Sequence, residues 1–300
     1  MSPVGRLVVA GVLVAAGAAC TSRMMSSSTS SGAGASASTS GASGASATSD
    51  APALPASEAG APARLQSSPR HGEYVMIQTG PNDSVRAYVV YPQRRTKAPV
   101  VVAVHDIYGL GSWIRGVADQ LAADGFIAIA PDLITGSGLV TDSAVKAGGP
   151  ALVRALKRED VQRRISAVAN YGMALPSATK KYGVMGFCWG GSTVFTHAVD
   201  APNLGASVVY YGASPATAEL VKVKAPVLGF YGAEDARVNS TIPAADSALK
   251  AQNKQYEQEI YAGAGHGFLR GQEGMNGANM AATQKAWPRT IAFFRQTIDR

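Results

Sequence analysis

From about residue 99 onward, short apolar runs alternate with stretches of helical periodicity. The runs VVVAV at residues 100–104 and FIAIA at 126–130 are continuous and brief, the pattern of strands covered on both faces. Between them, residues 112–124 place Ile114, Val117, Ala118 and Leu121 on one face and run into Gly125, which predicts a helix with a glycine stop. The same alternation predicts strands over 182–185, 206–211, 226–231 and 255–261, with helices over about 160–175, from 190, 244–252 and 279–298. Ahead of these, extended segments at 73–79 and 85–91 flank the turn signal GPND and predict a hairpin. Strands alternating with helices predict an α/β fold with a mostly parallel central sheet and helices on both faces.

Composition divides the chain into three parts. Residues 1–20 carry Arg6 ahead of the apolar run LVVAGVLVAAGA at 7–18, which fits the h-region of a secretion signal better than a bilayer span. Residues 21–63 are almost entirely Ser, Ala, Gly, Thr and Pro, and read as a flexible linker. Residues 64–300 suit one α/β domain. The small residues of Gly17-Ala18-Ala19-Cys20 resemble a bacterial lipoprotein signal, with Cys20 as the lipidated residue; cleavage after Ala18 or Ala19 without lipidation is the alternative. The expected location is therefore the cell envelope or periplasm, with membrane contact only through the anchor.

A net charge of +7 raises the question of a nucleic-acid partner, but the cations are scattered and lack interleaved aromatics. A solvated basic surface accounts for them, and no nucleic acid is expected. Cys20 and Cys188 are the chain's two cysteines. A disulfide between them would close a loop through the linker, so Cys188 is expected as a free thiol.

Chemically capable residues collect after the predicted strands: the His105-Asp106 pair, Cys188, Asp235 and His266. In an open parallel sheet, loops at the carboxyl ends of strands gather the ligands. GFCWGG at 186–191 has the form Gly-x-Cys-x-Gly between strand and helix, the cysteine version of a nucleophile turn. Small flanking residues let strand and helix approach. The N–H of Trp189 then sits at a helix N-terminus, where it suits a tetrahedral oxyanion, and the helix end favours negative charge on sulfur. His266, within GAGHGF, is the candidate base, and Asp235, within GAEDARV, the acid that orients it, in preference to Glu234. Of the other histidines, His105 is expected to shape the oxyanion loop, while His71 and His197 read as solvent-facing or structural. No His, Cys or Asp spacing matches a dedicated metal site, and no cofactor is expected.

Taken in order, VVVAVHDIYGL at 100–110, APDL at 130–133, the turn at 186–191, 232–238 and GHGF at 265–268 resemble the dienelactone hydrolase (carboxymethylenebutenolidase) family, of α/β-hydrolase fold. The resemblance covers about residues 72–300. It implies hydrolysis of a small-molecule ester or lactone by a Cys188-His266-Asp235 triad, with an oxyanion hole from the N–H groups of Ile107 and Trp189. It also implies that Asp106, where the family usually has glutamate, helps generate the thiolate, and that Arg270 and the neighbouring Tyr108 contact substrate. The family's second substrate-binding arginine has no counterpart in PDLITG at 131–136. A monomer is expected. The competing expectation is a non-catalytic envelope binding protein that keeps the hydrolase fold.

Overall fold

The computed structural model describes residues 53–300; the expected signal over 1–20, Cys20 and the part of the expected linker over 21–52 lie outside the described residues. One eight-stranded sheet organises the domain, in the order β1-β2-β4-β3-β5-β6-β7-β8. The strands are β1 (Gly72–Gly80), β2 (Asp83–Val90), β3 (Ala98–Val104), β4 (Ile127–Pro131), β5 (Ala178–Phe187), β6 (Ala206–Tyr210), β7 (Val227–Gly232) and β8 (Tyr256–Tyr261). The first two form the antiparallel hairpin, β2 joins β4 antiparallel, and β4 through β8 are parallel. This is the α/β-hydrolase fold. Every residue of β3, β4, β6 and β7 is buried, as their unbroken apolar runs require.

The helices are α1 (Ala61–Gln66), α2 (Ser112–Ala123), α3 (Asp142–Ala155), α4 (Arg158–Ala174), α5 (Trp189–Asp200), α6 (Ala236–Asn239), α7 (Ile242–Lys250) and α8 (Ala278–Ile298). They cover both faces and divide the core in two. On one side α4, α5 and α7 pack Ile165, Phe195 and Leu249 against the sheet. On the other, α2 and α8 bury Ile114, Leu121, Trp287 and Phe294. Each such side chain contributes about 1.5–3 kcal/mol relative to exposure, so the two layers supply most of the driving force.

Two elements depart from the sequence pattern. Helix α3 contains Gly148, Gly149 and Pro150, residues that ordinarily break helices. Its start is fixed by Thr141, whose hydroxyl accepts the Ala144 N–H, and by Asp142, which accepts the Ser112 N–H at 2.7 Å. Gly149 lies so close to the Tyr108 carbonyl that a Cβ would overlap it. The helix is thus held by packing that composition does not reveal.

The second departure corrects the linker boundary. Residues 53–63 are not free chain: the Pro55 carbonyl accepts from Gln272 Nε2 at 2.9 Å, the Glu58 N–H donates to the Arg270 carbonyl at 2.9 Å, and Ala61 is fully buried. This stretch has too little apolar surface to order itself, yet its small residues fit closely on the domain. The ordering comes from the surface beneath it.

The polar interior includes His197, on α5, which is fully buried; its Nδ1 donates to Gln162 Oε1 at 2.7 Å and its Nε2 accepts from the Tyr182 hydroxyl at 3.2 Å. Burial pushes its pKa down from 6.5 to about 4. Between those values the unfolded chain binds a proton that the folded chain refuses. The contribution of the neutral ring is therefore complete above pH 6.5 and is lost as pH falls toward 4, by about 3 kcal/mol. Urea unfolding should show this acid weakening, and His197→Asn should reduce its steepness within that window; an unchanged slope contradicts the assignment.

Candidate active site

Cys188 ends the turn from β5 into α5. Its backbone has φ 55° and ψ −114°, a left-handed conformation costly for a residue with a side chain. The turn is held by the Cys188 N–H donating to the Tyr210 carbonyl at 3.0 Å and the Ser192 N–H donating to the Cys188 carbonyl at 3.1 Å. Close packing makes the flanking glycines necessary. A Cβ on Gly186 would overlap the Gly190 carbonyl, and one on Gly190 would overlap the carbonyls of Val104 and His105. The strand-to-helix turn therefore presses against the end of β3 and presents the thiol, partly exposed, above the sheet.

Asp235 follows β7 and caps α6, where its Oδ1 accepts the Val238 N–H. Its Oδ2 accepts the Nδ1–H of His266, which follows β8. Glu234, the other carboxylate in that loop, is exposed, whereas Asp235 is buried. The imidazole lines the same cavity as Cys188. Burial lowers the His266 pKa, but hydrogen bonds and charge from Cys188 and Asp235 outweigh it, and the net shift is upward. Imidazole and carboxylate are paired, and the thiol opens onto the same cavity as the ring, an arrangement in which an oriented base can take a thiol proton.

His105 is fully buried beside this chain. Its Nδ1 donates to the Asp106 carbonyl at 2.6 Å and its Nε2 accepts the Leu133 N–H at 3.3 Å, which fixes the neutral ring; burial lowers its pKa. It stacks on Trp189 with ring centroids 5.6 Å apart. The ring ties the loop after β3 to the start of α5, the segments that carry Ile107 and Trp189. As the first helical residue, Trp189 has an N–H without an intrahelical partner. Its side chain lies in a separate groove, so its contribution beside the thiol is backbone only.

Cys188, His266, Ile107 and Tyr108 open onto a cavity of about 310 Å³, together with Asp106 and Arg270. Asp106 does not engage the thiol: its Oδ1 accepts the Tyr108 N–H at 2.9 Å, and its Oδ2 is paired with Arg270. The expected thiol-activating contact is replaced by an ion pair. Arg270 is held on its other edge by Glu58, with Nε and Nη2 donating at 3.0 and 2.7 Å, and lies over the rings of Tyr108 and Trp113 at 4.5 and 5.2 Å. Three of its five N–H donors, expected to face substrate, are taken by protein carboxylates.

Residues 85–298 match the model of the dienelactone hydrolase family. The chain belongs to that family. A Yersinia pestis protein named "Putative carboxymethylenebutenolidase" is 31% identical over 248 residues, covering 78% of this chain and 92% of that protein. A Saccharolobus solfataricus protein of the same name is 29% identical, covering 71% and 94%. Among solved structures, the "Putative Dienelactone Hydrolase" of Klebsiella pneumoniae subsp. pneumoniae superposes with a TM-score of 0.66 at 27% identity, covering 76% of this chain and 99% of that one. The chain is accordingly a dienelactone hydrolase-like hydrolase.

Three residues of this family member's cavity are absent from the sequence expectations. Glu58 comes from the stretch that composition assigns to the linker. Lys146, on α3, lies 3.2 Å from Glu58. Tyr211, directly after β6, is buried against the cavity with φ 41°, its ring 5.2 Å from that of His266. Its hydroxyl has no protein partner among the described residues. A left-handed tyrosine at a strand end leaves no mark in the sequence, where Tyr210-Tyr211 reads as the end of an apolar run.

Proposed function

We propose that the protein hydrolyses a small ester or lactone through a cysteine acyl-enzyme. The observation that carries this reading is the convergence on one cavity of the Cys188 thiol, on its strained turn, and His266, whose ring is held by the buried Asp235. His266 takes the thiol proton, and sulfur attacks the carbonyl carbon. The carbonyl π electrons move to oxygen, where the N–H groups of Ile107 and Trp189 hold the negative charge. Collapse expels the alcohol oxygen, which takes the proton from His266. Water then gives a proton to His266 and attacks the thioester, and the leaving sulfur recovers that proton. Asp235 keeps Nδ1 protonated throughout, so that the other nitrogen faces the sulfur.

The neutral, buried His105 supports this loop geometry without exchanging protons. A purified soluble domain should turn over a chromogenic short-chain ester and lose that activity on alkylation by one equivalent of iodoacetamide. Hydrolysis no faster than the uncatalysed background, with or without alkylation, favours the non-catalytic binding role instead.

The same proposal extends to location: a monomer exported through the signal at 1–20 and held at the envelope by lipid on Cys20. Its support is the apolar run followed by Gly17-Ala18-Ala19-Cys20. Mass spectrometry of the mature N-terminus decides it, since an unmodified Cys20 excludes the anchor.

A further inference from the structure

Arg270 supplies the strongest cation in the cavity, and its geometry shows what already occupies it. A guanidinium recognises a carboxylate best through two parallel N–H donors along one edge. The Nε and Nη2 edge of Arg270 is taken in this way by Glu58, at 3.0 and 2.7 Å. Nη1 is taken by Asp106, and the guanidinium also lies over the rings of Tyr108 and Trp113. While Glu58 is in place, the Nε and Nη2 edge is closed to a substrate carboxylate.

The Glu58 contact is built rather than casual. Its own N–H donates to the Arg270 carbonyl, so backbone and side chain clasp the same residue. On one side, the Ser57 hydroxyl donates to Glu273 and the Pro55 carbonyl accepts from Gln272; on the other, Ala61 is fully buried. Lys146 adds a second cation at 3.2 Å, with its ammonium pointing to Glu58. Around Arg270, two cations thus face two carboxylates, Glu58 and Asp106, and the charge is balanced without a ligand.

We propose that Glu58 is a specificity-determining residue, which occupies the carboxylate-binding edge of Arg270 and makes the enzyme selective for uncharged esters and lactones. Removing its charge leaves Arg270 with a free edge and Lys146 without its partner, so the cavity gains one net positive charge and a fork suited to an anionic substrate. The hydrogen bonds from Arg270, then those from Lys146, outweigh partial burial and hold the Glu58 pKa at about 2, so the carboxylate stays charged at neutral pH.

This inference rests on the ester-hydrolase reading of the same cavity, and its test separates the two. Wild type and Glu58→Gln are compared on p-nitrophenyl butyrate and on the mono-p-nitrophenyl ester of glutaric acid, which differ in a terminal carboxylate. The ratio of kcat/KM, anionic over neutral, should rise about tenfold in Glu58→Gln; a ratio within about twofold of wild type overturns the proposal. Glutarate binding, measured by calorimetry in a Cys188→Ala background with and without Glu58→Gln, gives a second reading that needs no turnover. Glutarate should bind about tenfold tighter when Glu58 is replaced, and equal affinities overturn the role of Glu58. Absence of turnover on both esters by wild type counts against the hydrolase reading alone, because the binding arm still decides Glu58.

Discussion

Replacing Cys188 by alanine should lower kcat/KM for a short-chain ester by about 10⁴-fold or more. The expected loss is large because the proposed mechanism makes the Cys188 sulfur the attacking atom, and nothing else at the end of β5 replaces it. What survives is the oxyanion loop, the cavity and the His266-Asp235 pair, which can still activate a water. Such residual machinery typically yields modest catalysis over solution. The folded state should be retained, since alanine keeps the Cβ and Cys188 is not among the fully buried core side chains. Circular dichroism and thermal unfolding of the variant check this directly. A fall of less than about tenfold, with the fold intact, places the chemistry elsewhere.

Asp235→Asn should cost about 10³-fold to 10⁴-fold in kcat while leaving KM nearly as it was. The carboxylate has two duties. Its Oδ2 accepts the His266 Nδ1–H and stabilises the imidazolium, and its Oδ1 caps α6 through the Val238 N–H. Asparagine preserves the cap, because its side-chain oxygen also accepts, but its amide N–H₂ facing His266 demands the opposite tautomer. The nitrogen facing Cys188 then carries the proton and cannot accept one. The loss is thus electronic rather than structural. Asp235→Ala should add a stability penalty of about 1 kcal/mol from the lost cap, which separates the two duties in urea unfolding.

The parts of this site legible in the sequence share one property: each sits in the loop that follows a predicted strand. Cys188, Asp235 and His266 follow β5, β7 and β8 in turn, and a parallel sheet brings those strand ends to one edge. Family resemblance added the oxyanion loop and Arg270. Local pattern carried no information about what Arg270 would hold. Asp106 and Glu58 lie 164 and 212 residues away along the chain, and whether a cation meets a substrate or a protein carboxylate is decided by packing. Glu58 was further hidden by its setting of Ala, Pro and Ser, which reads as linker because it lacks apolar content of its own. Helix α3 was obscured in the same manner by Gly148, Gly149 and Pro150, and with it the position of Lys146.

The pairing of Asp106 with Arg270 bears on how the thiol is prepared. The carboxylate at this position holds the arginine and the Tyr108 N–H, so in the proposed mechanism proton removal from Cys188 is assigned to His266. Burial lowers the His266 pKa, but the neighbouring Cys188 and Asp235 raise it by more, and the net upward shift suits a base in that proposed role.

The central claim, covalent catalysis by Cys188, is tested most directly by intact-protein mass spectrometry during turnover of a slowly deacylated ester. The account predicts a transient mass increase equal to the acyl group, discharged by hydroxylamine as a thioester is, and mapped by proteolysis to the peptide containing Cys188. Steady turnover with no acyl adduct at Cys188, or with the adduct on another residue, would contradict it.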